Sequence, residues 1–142
     1  MSVSTATPCL CSMLRRATRS VTRRYDDALR PLELRITQFS LLRQLVRHGK
    51  QRMRDLATRV VLEETALNRA VRGLESRGWV AIRPGKDDKR ERLLSITAVG
   101  RKLLAEAEPR WLAAQQQMTD ELGPTWDTLL RGLGEVTDRS AP

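Results

Sequence analysis

The sequence is poor in the residues from which several kinds of protein are built. It has two cysteines, Cys9 and Cys11, and one histidine, His48. That leaves no disulfide framework of the sort that holds small exported domains together, and no four-ligand zinc pattern. With 3 Trp, 1 Tyr and 1 Phe, the core must be filled by Leu, Val and Ala, which suits an α-rich protein. No stretch approaches the roughly 18 uninterrupted apolar residues that span a bilayer, and no apolar signal core precedes Arg15 and Arg16. A cytoplasmic protein without a membrane partner is expected. There is no glycine-rich phosphate loop, no serine in a nucleophile elbow and no metal-ligand cluster, and Asp87-Asp88 reads as a turn pair. Neither an enzyme nor a cofactor or bound metal is expected. The one catalytic version left, a thiol peroxidase using Cys9 and Cys11, lacks a base and partner groups.

What is present is positive charge, unevenly placed. Residues 1–102 hold 23 Lys/Arg against 10 Asp/Glu, net +13, whereas residues 103–142 hold 3 against 7, net −4. Lys/Arg clusters bind polyanions by releasing counterions from phosphates, so a basic body with an acidic end fits a nucleic-acid surface plus a separate assembly segment. At 142 residues, with 40% hydrophobic and 30% charged positions, one compact unit is expected. There is no internal repeat, and loose ends are expected at the first six residues and at Asp138 to Pro142.

The pattern between those ends is a run of helices with one strand pair. Thr7 and Pro8 predict the N-cap and first position of a helix carrying Leu10, Leu14, Ala17, Val21 and Ala28, ended by Pro31. A second helix runs from about Thr37 to His48-Gly49. A short helix from about Arg54 to Val60, a break near Val61-Leu62 and a longer helix from about Glu64 to Arg77 follow, closed by Gly78. Trp79 to Arg83 and Arg92 to Ile96 read as strands joined by a polar tip, Pro84 to Glu91. Thr97 caps a long helix with Pro109 inside it, and Gly123-Pro124 separates that helix from a last amphipathic one bearing Trp126, Leu129, Leu130, Leu133 and Val136. Leu104, Trp111 and Met118 recur at seven-residue intervals, which serves either an internal seam or a partner helix.

Two helices joined by a tight turn, then a hairpin with a basic tip, are the order of elements in a winged helix-turn-helix. The second helix of such a motif enters the major groove by its N-terminal residues, here Thr65, Ala66, Asn68 and Arg69. Asn pairs with adenine, Arg with guanine or phosphate, and Thr offers a hydroxyl or methyl. With Leu67, Val71 and Leu74 inward, Asn68, Arg69 and Arg72 are expected on other faces, free to contact a partner. Lys86, Lys89 and Arg90 at the hairpin tip are long enough to reach phosphates or a narrow minor groove. Each of these residues, taken alone, also reads as a solvated surface.

Over about residues 10–137 the chain resembles the MarR family of winged-helix regulators. The resemblance rests on Asp55-Leu56-Ala57, on Thr65 to Arg69, on Leu74 to Val80, on Asp88-Lys89-Arg90, and on Ser95 to Gly100, with Ile96 where the family has leucine. It implies a mainly α fold with a small β-hairpin wing: a winged lobe over residues 37–97, and dimerisation helices over 8–36 and 98–138. It further implies a homodimer on a pseudo-palindromic site of double-stranded DNA, acting as a transcriptional regulator and repressor. Arg90 would be the wing arginine and Asp88 would orient basic residues. The chain departs from the family where Val61 replaces the glycine of the motif turn and where the recognition helix opens on Glu63-Glu64. Those departures motivate the contrary reading of an interaction module that does not bind DNA.

Cys9 and Cys11 fall at the start of the first helix, near Arg15 and Arg16. A helix N-terminus and nearby cations both favour thiolate, so the pair reads as a redox trigger for peroxide or hypochlorite. The other readings are a soft-metal or arsenite site, and two inert, part-buried thiols. Residues two apart lie about 200° around a helix, so an intrachain bridge requires the first turn to unwind. Tyr25 belongs to the same helix and reads as packing. The resemblance also implies a small aromatic acid as effector; Arg16, Arg43 and His48 are candidate anchors, but each reads first as a solvated or capping residue, and no pocket is nominated.

Overall fold

The computed structural model describes residues 6–60 and 62–140, and the break expected at Val61 lies outside them, as do residues 1–5 and 141–142. The elements are α1 (Leu10–Leu29), a 3-10 turn (Arg30–Leu32), α2 (Ile36–His48), β1 (Gln51–Arg52), α3 (Met53–Val60), α4 (Glu64–Ser76), β2 (Val80–Pro84), β3 (Arg92–Ile96), α5 (Ala98–Leu122) and α6 (Thr125–Ser140). The fold is mostly helical with a three-stranded antiparallel sheet in the order β1-β3-β2. Among the described residues no helix is long and apolar enough to cross a membrane.

Three expectations are corrected and one open alternative is decided. The N-cap of α1 is Cys9, not Thr7: its backbone is extended and its carbonyl accepts from Met13 N at 3.0 Å, which leaves Pro8 outside the helix. A third strand, β1, is added by Gln51 and Arg52 pairing with Leu94 and Leu93. Two residues give no alternation to read, and only the distant partner makes them a strand. At the far end α6 continues through Ser140, past the boundary expected at Asp138. Of the two uses left open for the heptad on α5, the internal seam is the one found: Leu104 and Met118 are buried, and the half-buried Trp111 stacks on Phe39 of α2 at 5.6 Å.

The core lies between α2, α3, α4 and the sheet, where Phe39, Leu42, Leu45, Leu56, Leu67, Val71, Leu74 and Leu94 are almost fully buried. Leu67, Val71 and Leu74 lie at i, i+4 and i+7 on α4, so one stripe of that helix is driven inward by the loss of apolar surface from water. Gly100 lets α5 lie against the sheet. A Cβ there would stand 2.2 Å from the Trp79 carbonyl oxygen. Thr97 fixes the same junction: its hydroxyl donates to Gly78 O at 2.6 Å and accepts from Gly100 N at 3.0 Å, its backbone N–H donates to Trp79 O, and α5 starts behind it.

Outside this core, α1 packs on α5, and α6 has its largest set of neighbours on α5 alone. Leu129, Leu130 and Leu133 of α6 and Leu10, Met13 and Val21 of α1 remain exposed.

Candidate nucleic-acid interface

The inward stripe of α4 determines what its other faces present. Thr65, Ala66, Arg69 and Arg72 are exposed, and Asn68 is half-buried. Glu63 is the N-cap and makes no side-chain cap bond, while Glu64 occupies the first turn. A carboxylate there interacts favourably with the partial positive charge of the helix N-terminus, a structural reason for an acidic start on a helix otherwise rich in arginine.

Asn68 departs from the expectation of a free side chain. Its Nδ2 donates to Glu64 O at 3.0 Å, and its Oδ1 accepts from Arg92 Nη1 at 2.8 Å. Both ends of the amide are thus engaged within the chain.

The wing is a hairpin in which Val80 to Pro84 pair with Ile96 to Arg92. Pro84 is tolerated because β2 is an edge strand. The tip closes through Gly85 N donating to Glu91 O at 2.9 Å and Glu91 N donating to Asp88 O at 3.0 Å. Gly85 is buried under this turn, and a Cβ on it would lie 2.5 Å from Asp88 O, so the tip has room for glycine alone. Asp88 Oδ1 accepts from both the backbone N–H of Arg90 (3.0 Å) and its Nε (3.2 Å), and the Arg90 side chain stays 92% exposed. Lys86 and Lys89 are exposed beside it. The tip therefore presents three cations, one of them aimed by a carboxylate.

Sequence reading did not single out the residues that fasten the wing to the helices. Arg52 of β1 donates from Nε to Asp55 Oδ2 of α3 at 2.9 Å and from Nη1 to Glu91 Oε1 at 3.0 Å. These two bonds, Asp55 first, raise the pKa of the guanidinium above its ordinary value. Next along the chain, Arg92 reaches Asn68 of α4. The partners stand 39 and 24 residues apart in sequence, beyond any local spacing rule.

The residues expected to sense a signal are placed as follows. Cys9 and Cys11 are both exposed free thiols. The Cys9 pKa is lowered, first by the backbone and hydroxyl of Ser12 and then by the backbone of Cys11, whose dipoles favour the thiolate, although its side chain makes no regular cap bond. Arg43 lies with its guanidinium 4.2 Å over the Trp111 ring. Arg16 is exposed on α1. His48 has its pKa lowered by desolvation and then by the charges of Arg59 and Arg47. Tyr25 stacks with Trp111 at 6.5 Å and its hydroxyl donates to Gln115 Oε1, a packing role. Among the described residues no three His, Cys, Asp or Glu side chains gather as a metal site.

Comparison with known proteins agrees with this arrangement. The sequence profile of the MarR family matches residues 34–91, from the residues before α2 to the wing. The chain is 26% identical over 109 residues to the Bacillus subtilis HTH-type transcriptional regulator YwoH, covering 77% of this chain and 79% of that protein. It superposes on the M. tuberculosis transcriptional regulator MosR, solved in complex with DNA, with a TM-score of 0.82 and 33% identity, covering 95% of this chain and all of that one. A mutant of E. coli MarR complexed with operator DNA has the same fold, with a TM-score of 0.83 at 24% identity over 89% of this chain and 92% of that one. With a motif of this order, a basic wing held by Asp88 and a DNA-bound relative matched over its whole length, the chain belongs to the MarR family of winged-helix transcriptional regulators.

Proposed function

We propose that this regulator is a repressor that binds a pseudo-palindromic DNA site as a homodimer, with α4 in the major groove and the wing on the flanking backbone. The reading is carried by one observation: Thr65, Ala66, Arg69 and Arg72 on α4 and Lys86, Lys89 and Arg90 on the wing are all exposed, and among the described residues none of these cations is held in an ion pair with another element. Thr65 and Ala66 offer methyl and hydroxyl contacts to base edges, Arg69 and Arg72 contact guanine or phosphate, and Arg90 contacts phosphate under the guidance of Asp88. The second copy is supported by the exposed apolar residues of α1 and α6, an amount of unpaired leucine unusual for surface helices. In this assembly α1, α5 and α6 join the protomers, and residues 37–97 form the reading lobe. Binding by the purified protein to a duplex enriched from a random-sequence pool tests it, and enrichment of no sequence overturns it.

Release of DNA is assigned to the exposed thiols. Cys9 thiolate attacks the O–O bond of a hydroperoxide, giving the sulfenic acid and an alcohol or water. The Cys11 thiol then displaces water from that sulfur to form the disulfide. Because Cys9 is the cap and not a turn residue, only the turn containing Cys11 has to unwind. That turn belongs to a helix placed here in the dimer interface, which links oxidation to the spacing of the two lobes.

A further inference from the structure

Glu91 is the bend residue that closes the wing tip, and Arg92, next to it, begins β3. Here they reach the two different helices of the motif. Glu91 holds α3 and β1 through Arg52, and Arg92 holds α4 through Asn68. The bond to Asn68 ties the wing strands directly to the helix placed in the major groove, and it lies at the root of the wing, eight residues or fewer from every cation of the tip.

We infer that Asn68 is a positioning residue: with Arg92 it forms a strut that sets the angle between α4 and the wing, and it does not read a base. Bidentate recognition of adenine needs Oδ1 to accept from N6 and Nδ2 to donate to N7. In this chain Oδ1 accepts from Arg92 and Nδ2 donates to Glu64 O, and these two bonds fix the orientation of the amide. The bond to a guanidinium is charge-assisted, the stronger kind, and turning the amide to meet an adenine edge would break it. The Arg52 contacts hold the other side of the wing root and stop it turning about the strut. Helix and wing then meet DNA as one rigid reader, so phosphate contacts at the tip fix the register of side chains on α4.

This inference rests on the proposed DNA binding and is tested by a double-mutant cycle. Anisotropy titrations on the enriched duplex compare wild type, Arg90→Ala, Asn68→Ala and the double variant, with Arg92→Leu in place of Asn68→Ala as a second cycle. Losing one phosphate contact is expected to weaken binding about fivefold in the wild-type background. In the Asn68→Ala and Arg92→Leu backgrounds that loss should shrink to about twofold or less, because an unfastened wing no longer gains from its arginine. Asn68→Asp keeps an acceptor for Arg92 and should restore the full effect of Arg90→Ala. The base preference of Asn68→Ala, measured by repeating the enrichment, should be unchanged.

Additive effects in both cycles, or a preference altered at a single base position, overturn the strut. Hydrogen exchange of the wing amides is read on the same variants without DNA: faster exchange at residues 85–91 in Asn68→Ala and Arg92→Leu is expected, and exchange equal to wild type contradicts the strut. That readout keeps its meaning if no duplex is enriched, a result that would remove the DNA-binding reading by itself.

Discussion

The Trp111 ring of α5 is stacked on Phe39 of α2 at 5.6 Å, with the guanidinium of Arg43 closing over its other surroundings at 4.2 Å. This contact joins the long helix α5 to α2, so a displacement of α5 is transmitted to a packed core and not to a loop. Trp111→Ala removes stacking, a cation–π contact and part of the seam with Leu104. It is expected to cost about 2–4 kcal/mol in urea denaturation. A change below the error of the extrapolation would mean that α5 and the lobe are independent.

Gly100→Ala places a Cβ 2.2 Å from the Trp79 carbonyl and 2.9 Å from Ile96 Cγ1. The Ile96 side chain can shift, but the Trp79 backbone cannot yield without moving α5 off the sheet. The variant should lose about 3 kcal/mol of stability, seen as a lowered melting temperature, whereas Gly132→Ala, with nothing near its Cβ, should be stabilising by helix propensity.

Arg90→Ala is expected to weaken binding to all duplexes and to lower the slope of log K against log salt by about 0.9, the signature of one lost phosphate contact. Arg69→Ala should act unevenly, changing which sequences are preferred. An unchanged salt slope for Arg90→Ala would remove the wing from the interface.

Cys9 has a lowered pKa, so its thiolate persists to lower pH than that of an ordinary thiol. Alkylation by iodoacetamide, followed site by site by mass spectrometry, should therefore show a midpoint at Cys9 below that of the same residue in urea. Equal midpoints would mean that the helix start does nothing for its reactivity. Hydroperoxide should release DNA reversibly, and Cys9→Ser or Cys11→Ser should abolish the release; equal release from a cysteine-free variant ends the redox assignment.

Leu130→Glu with Leu133→Glu puts two carboxylates on the exposed apolar face of α6. Sedimentation should then report a monomer at concentrations where the wild type is a dimer. A wild-type monomer, or an unaffected dimer, excludes that face from the assembly.

The sequence was informative where physics is local. The stripe Leu67, Val71, Leu74 and the Thr97 cap are set by periodicity and a neighbouring donor, and α4 and α5 start where those signals put them. The polar tip between two apolar strands likewise marked the wing and its exposed cations. What escaped is non-local: β1 exists only because Leu93 and Leu94 lie beside it, and Arg52, Glu91 and Arg92 acquire their roles from partners brought together by the fold. The Leu104, Trp111, Met118 repeat could be read but not resolved, since a seven-residue spacing does not say whether the facing surface belongs to the same chain. Asn68 shows the same gap on a smaller scale: its residue type suggested adenine, and its bonds give it to Arg92 and Glu64.

The central claim is that α4 and the wing of a paired molecule read DNA. Its most direct measurement is a titration of reduced protein into the enriched duplex and into a scrambled duplex of equal length at physiological salt. Saturation at two protomers per duplex is predicted, with affinity for the enriched sequence at least about a thousandfold above the scrambled one. Equal affinity for both, or no binding to either, would contradict it.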